Sequence, residues 1–252
     1  CGSGCWATTS DGLSTTPPTI GFWTSFARAL LILMRRWLNS KGTNMSGQVE
    51  MTNPVDTSVG GMRGHVLRRS VHLGMMGIPF LFFEFGESVA DSLSLELNQV
   101  VAGVVLIALV LEAVRLRIGL TVFGQRDYEA HQISALAWGA VGIGFVLLLV
   151  PIEAYAWPLI ASLALGDPLM GELRRKDVGT RNVMIYATAL LLLVWVACHF
   201  LFATPLWMAF ILAPVCMISE WPRLTYIDDN ATMLLIPLAL VLLLEPFALV
   251  MV

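Results

Sequence analysis

The chain has 252 residues, 57% of them hydrophobic and only 13% charged, with a mean hydropathy of +0.76. That leaves too little polar surface for a soluble globule of this size and predicts an all-α, polytopic membrane helix bundle. The net charge of −3 says nothing about partners, and no basic cluster is interleaved with aromatic residues, so nucleic acid is not expected as a partner.

Residues 1–61 are rich in Ser, Thr, Gly and Pro, and read as a low-complexity N-terminal segment. Only Ile20 to Leu38 breaks the pattern, an apolar stretch interrupted by Arg28, Arg35 and Arg36 that reads at most as an interfacial amphipathic helix. A first residue of Cys reads as a fragment, a processed form or an over-extended translation, with Met45 and Met62 as alternative starts. The charge pattern argues against a lipoprotein. Cys1 and Cys5 lie in this polar tail, while Cys198 and Cys216 fall in apolar runs, where they read as packing residues.

Residues 62–252 read as a single transmembrane domain. Seven apolar runs follow one another at roughly the spacing of membrane helices, several of them shorter than the about 20 residues that cross a bilayer. They are Val71 to Phe85, Leu97 to Val114, Ile133 to Val150, Ile152 to Leu165, Val183 to Phe202, Leu206 to Ile218 and Ala231 to Val250. Pro79, Pro151, Pro158, Pro205, Pro214 and Pro237 lie within or between them, which predicts broken or tilted helices around a cavity. The fifteen Lys and Arg lie in the N-terminal segment up to and including Arg69, from Arg115 to Arg126, from Arg174 to Arg181, or at Arg223, and the alternate breaks contain none. This positive-inside pattern predicts a cytoplasmic N-terminus and places every polar cluster at the cytoplasmic face.

Those clusters come in sequence order. Arg68, Arg69 and His72 stand where the first run begins. They read as anchors for anionic head groups, with His72 also suited to a phosphate or hydroxyl. Glu112 and Arg115 are spaced to pair on one helical face, and Arg126 and Glu129 repeat the spacing. In LALGDPLMGELRRKDVGTR, from Leu163 to Arg181, a Gly and an Asp end an apolar run. Gly171, Gly179 and four basic residues follow, a loop composition that suits phosphate oxygens without a Walker pattern. In EWPRLTYIDDNATMLLIP, from Glu220 to Pro237, Asp228, Asp229 and Asn230 stand at the mouth of an uncharged run. They offer hard oxygen donors for a divalent cation or a cap for the helix, and the two roles are compatible.

Taken in order, RRSVHL from Arg68, LEAVRLR from Leu111, QRDYEA from Gln125, ALGDPLMGELRRK from Ala164 and DDNATMLLIP from Asp228 form a recognisable pattern. The chain from about Met62 to Pro237 resembles the CTP-dependent membrane lipid kinases, the family of dolichol kinase, phytol kinase and CTP-dependent diacylglycerol kinase, which is related to the phosphatidate cytidylyltransferases. The resemblance implies transfer of the terminal phosphoryl group of CTP to a membrane lipid alcohol, with Mg²⁺. It implies Asp167, Asp228, Asp229 and Asn230 as metal ligands, with Asp228 and Asp229 also catalytic. Arg69, His72, Arg115, Arg126, Gly166, Arg175 and Lys176 would contact nucleotide or phosphate, and Glu129 or Asp167 would accept the alcohol proton. The segment after Asp167 departs from the family pattern in being compressed. The Gly-His-Gly-Gly element typical of the cytidylyltransferases is absent, so a kinase is preferred to CDP-lipid synthesis. A non-enzymatic transporter or scaffold is the remaining alternative. The lipid alcohol stays open among dolichol or polyprenol, phytol-type isoprenol and diacylglycerol, as does the oligomeric state.

Overall fold

The computed structural model describes residues 58–221, 224 and 227–248. The Ile20 to Leu38 stretch, Cys1, Cys5 and Arg223 lie outside the described residues. Eight α-helices are present among the described residues: α1 (Gly61–Gly74), α2 (Gly77–Leu93), α3 (Leu97–Ile118), α4 (Ala135–Leu149), α5 (Glu153–Arg175), α6 (Thr180–Phe202), α7 (Leu206–Ser219) and α8 (Asp229–Ala248). A 3₁₀ turn spans Asp127–Ala130, and extended structure among these residues is limited to one isolated antiparallel bridge between Ser58 and Arg126.

Local chemistry sets the helix ends. At the start of α3 the Glu96 N–H donates to Gln99 Oε1 at 2.8 Å, one half of a capping box. The same helix stops at Gly119, whose φ of 66° is the left-handed conformation that glycine adopts without strain. Ser134 caps α4 by accepting from Ala137 N at 3.2 Å, and Asp228 caps α8 by accepting from Asn230 N at 3.1 Å.

Among the described residues, three helices are long and apolar enough to cross a membrane: α3, α6 and the Asp229–Phe247 portion of α8, with 22, 23 and 19 residues. At 1.5 Å per residue these span about 28–35 Å, against a hydrocarbon core of about 30 Å. On α3 Leu106, Ile107 and Leu111 are each more than 60% exposed, an apolar surface that a bilayer would cover. The other four expected runs take three forms. The first run is two helices, α1 and α2, bent by 45° at their break, and together they pass the same length and composition test as one broken span. The runs at α4 and α7 form helices of only 15 and 14 residues. The run expected to stop at Leu165 continues as helix to Arg175, so Gly166, Asp167 and Pro168 are helical and only residues 176–179 form the loop.

That last difference has a tertiary cause. A proline inside a helix removes one backbone donor and ordinarily interrupts it. Here α5 is the central helix, packed against α1, α2, α4, α6, α7 and α8, so the packing outweighs the breaker. Leu159, Ile160, Leu163 and Met170 of α5 are completely buried. Beside them Trp195 of α6 donates its indole N–H to Ser162 Oγ at 3.0 Å, satisfying both buried polar groups. Cys198 and Cys216 are buried free thiols, in keeping with a packing role.

Candidate metal centre

The polar residues gather at the C-terminal end of α5. From α1, Arg69 Nη1 donates to Asp167 Oδ2 at 2.7 Å. His72, almost fully buried, places Nδ1 3.1 Å from the same oxygen, though outside hydrogen-bonding geometry. Gly171, one turn beyond Asp167, makes the approach of Arg69 possible. A Cβ there would meet Arg69 Nη2 at 1.9 Å, so any side chain would displace the guanidinium. The sequence reading offered this glycine to phosphate, and the structure supplies a different reason for it.

Two further carboxylates face Asp167 from the other side. Glu220 follows α7 and Asp229 opens α8, and Asp167, Glu220 and Asp229 each offer an oxygen within 4.8 Å of the other two. Arg174 holds Glu220 at two points, Nη1 to Oε1 at 2.7 Å and Nη2 to Oε2, and lies 5.1 Å from the centre of the Trp221 ring. Burial pushes the Glu220 carboxyl up to about 7 despite Arg174. Burial and the neighbouring Asp229 push Asp228 up to about 8.

Asp228 caps α8, so the capping role weighed from sequence is realised. Asn230 donates from Nδ2 to Ala135 O at 3.0 Å, tying α8 to the start of α4. Two acceptors in this pair of residues, Asp229 Oδ1 and Asn230 Oδ1, are buried without a hydrogen-bond partner among the described residues. Buried polar atoms are normally satisfied, so a cluster of three carboxylates in which Asp229 leaves an oxygen bare, next in sequence to the bare Asn230 oxygen, is suited to a cation. Ligand oxygens on one divalent cation stand about 4–5 Å apart at most, given bonds of about 2.0–2.6 Å, and the separations here fit that range.

The other residues expected at the site are placed around it. Glu129 is fully engaged, accepting from Arg68 Nη1 at 2.9 Å and from the backbone N–H groups of Arg126 and Ala135 at 3.1 and 3.3 Å. Arg115 pairs with Glu112 at two points and donates to the carbonyls of Leu120 and Gln132. It thereby fixes the loop between α3 and α4. Arg126 joins the isolated bridge to Ser58 through its backbone. Arg175 pairs with Glu172 on the exposed side of α5, and Lys176 is exposed. Gly166 is buried at a helix crossing, where a Cβ would meet Leu191 and Met233 each at 3.2 Å, so it serves packing.

Two residues of the cluster were not singled out from sequence, Arg174 and Glu220. Arg174 lies seven residues after Asp167 and so on the same helical face, a spacing that carries information only when α5 is read as continuous. Arg175 is turned away by one residue, about 100° around the helix. Comparisons with protein families, with curated proteins and with solved structures find no match to this chain.

Proposed function

We propose that this chain is a membrane-embedded phosphotransferase that moves the terminal phosphoryl group of CTP to a lipid alcohol, with Mg²⁺ held by Asp167, Glu220 and Asp229. The observation that carries the reading is the cluster of three carboxylates, with bare buried oxygens on Asp229 and the neighbouring Asn230, ringed by Arg69, His72 and Arg174 at one end of an apolar bundle. CTP as the donor rests on the family resemblance, as does the choice of alcohol acceptor among dolichol or polyprenol, phytol-type isoprenol and diacylglycerol. The seven-span arrangement, with residues 176–179 and 220–228 in the cytoplasm, is part of the same proposal and rests on the distribution of Lys and Arg.

Phosphoryl transfer asks a protein for positioning and positive charge more than for a covalent nucleophile. The alcohol oxygen bonds to the γ-phosphorus as the bond from that phosphorus to the bridging oxygen breaks, and CDP leaves. A bound Mg²⁺ would neutralise charge on the phosphate oxygens. The chain's own contribution is orientation: Arg69 and Arg174 hold the carboxylates in place, and Asn230 fixes α8 against α4. The alcohol proton is assigned to Asp167, whose carboxylate lies in the cluster beside His72. Glu129, the other acceptor considered, already has its oxygens occupied.

The test is the purified full-length protein in detergent with γ-labelled CTP, Mg²⁺ and a panel of the three alcohol classes, read by thin-layer chromatography. Label should appear in one lipid product, with CTP far better than ATP. Absence of transfer from either nucleotide to any of the alcohols would remove the reading.

A further inference from the structure

The candidate metal centre is closed into a ring by one residue that lies outside the eight α-helices. Arg68 and Arg69 are neighbours on α1 and diverge: Arg69 Nη1 donates to Asp167 Oδ2 at 2.7 Å, and Arg68 Nη1 donates to Glu129 Oε1 at 2.9 Å. Glu129, in the 3₁₀ turn before α4, accepts at its other oxygen from the Ala135 N–H at 3.3 Å. The Ala135 carbonyl in turn accepts from Asn230 Nδ2 at 3.0 Å. Asn230 follows Asp229, which offers an oxygen within 4.8 Å of one on Asp167, and so the path returns to its start.

The ring passes through a single buried carboxylate that is not itself one of the clustered three. The Glu129 side chain is 1% exposed and receives Arg68, the Ala135 N–H and the Arg126 N–H, donors that offset the cost of burying its charge. Its α1 partner and its α4 partner sit on different oxygens, so the two links need both. An amide in its place has one acceptor oxygen and one NH₂ group. Whichever way that amide turns, its NH₂ faces either the Arg68 guanidinium or the Ala135 N–H, and one link is lost. The tie between the two sides of the site then fails, since α1 carries Arg69 and His72 while α8 carries Asp229 and Asn230. Glu112 offers a comparison. It is also a buried carboxylate at the start of α4, accepting from the Ser134 N–H at 2.6 Å, but its guanidinium partner Arg115 belongs to its own helix, so it closes no ring.

We propose that Glu129 is a positioning residue for the candidate metal centre, holding its α1 side against its α8 side through Arg68 and the backbone of Ala135. That the centre takes a divalent cation rests on the reading above, and the tie between α1 and α8 is tested apart from it.

The experiment uses the full-length protein in detergent and the variants Glu129→Gln, Arg68→Met and Glu112→Gln. Mg²⁺ affinity is read from titration of the thermal midpoint, and hydrogen exchange in chelator from peptides covering Arg68–Leu73 and Asn230–Leu234. Charge alone would set the first two variants apart, because loss of a carboxylate near a cation weakens its binding and loss of a guanidinium strengthens it. Opening the ring makes them alike. Each should lower Mg²⁺ affinity about 10–100-fold, as removal of an outer-shell partner does, and each should speed exchange in both peptides. Glu112→Gln should keep the parental Mg²⁺ affinity and the parental exchange at Asn230–Leu234. Opposite shifts from Glu129→Gln and Arg68→Met, parental affinity in both, the same loss in Glu112→Gln, or unchanged exchange at Asn230–Leu234 would each overturn the role of Glu129. Should Glu129→Gln not fold, Arg68→Met alters the more exposed member of the pair, at 12%, and decides by sign: weaker Mg²⁺ binding supports the ring and tighter binding overturns it. A parent whose midpoint does not move with Mg²⁺, but whose two peptides loosen together in both variants, would retain the tie and remove the metal reading.

Discussion

Arg174 and Glu220 join the end of α5 to the end of α7 through a two-point contact, with Nη1 to Oε1 at 2.7 Å. The Glu220 side chain is 1% exposed and that of Arg174 26%, so the carboxylate depends on this guanidinium for its charge. Removing one member of a buried pair costs about 3–5 kcal/mol, and the partial exposure of Arg174 reduces that to about 2 kcal/mol. Arg174→Ala should therefore lower the thermal midpoint in detergent. Measured at pH 8, above the Glu220 value, Arg174→Ala with Glu220→Gln should recover part of the loss, because Gln carries no charge to strand in the buried site. A double variant no more stable than Arg174→Ala would show that the contact is not what supports Glu220.

Asp229→Asn keeps shape and removes one charge from the cluster. Like charges this close repel unless a cation lies among them, so the variant should be at least as stable as the parent in chelator. It should lose most of the stabilisation that added Mg²⁺ gives the parent, since a ligand that binds only the folded state raises its midpoint. Transfer activity should fall by more than the roughly 10–100-fold typical of losing an outer-shell partner. An unchanged Mg²⁺-induced shift would defeat the metal assignment even if activity were never detected.

Gly171→Ala tests whether Arg69 is positioned by the bare backbone of α5. The added methyl meets the far end of a flexible side chain, so the fold should survive while Arg69 leaves Asp167. The expected signature is near-parental expression and elution with a loss of about 10–100-fold in Mg²⁺ affinity, measured by titration of the thermal midpoint. Parental affinity would show that Arg69 has no part in shaping the site.

Cation binding should tighten as pH rises towards 7. The Glu220 carboxyl is raised from 4.5 to about 7 in the folded chain, so between those values the folded protein holds a proton that the unfolded chain has released. Without cation, stability in that window consequently falls as pH rises. A bound cation requires the deprotonated form, so its affinity increases over the same window and binding releases a proton. Calorimetric titration with Mg²⁺ at pH 6 in two buffers of different ionisation enthalpy measures that release directly. Equal heats in both would show that binding is not coupled to the carboxyl.

The orientation can be tested without activity. Lys176 is exposed at the end of α5, and Asp91 is exposed near the end of α2 in a segment lacking Lys and Arg. With Cys1 and Cys5 replaced, an impermeant maleimide applied to intact cells should label Asp91→Cys and spare Lys176→Cys until the cells are opened. The reverse pattern would place the candidate metal centre outside the cell and remove CTP as its donor.

Much of the organisation was legible in the sequence because hydropathy and charge are additive along a chain. The all-helical character, the long apolar helices α3, α6 and α8 and the cap at Asp228 follow from composition, run length and one side chain beside one helix start. The membership of Asp167 and Asp229 in one cluster was also accessible, because acidic residues beside apolar runs are costly and so stand out. What sequence could not supply was which neighbours meet. Gly-Asp-Pro at residues 166–168 has the local chemistry of a helix end, and only the packing of six helices around α5 keeps it helical. That continuity turns Arg174 rather than Arg175 towards Glu220 and assigns Gly171 to Arg69 in place of a phosphate. Whether a glycine, an arginine or a glutamate belongs to a site depends on what lies across the helix interface, and that distance is set by tertiary packing, which no local pattern encodes.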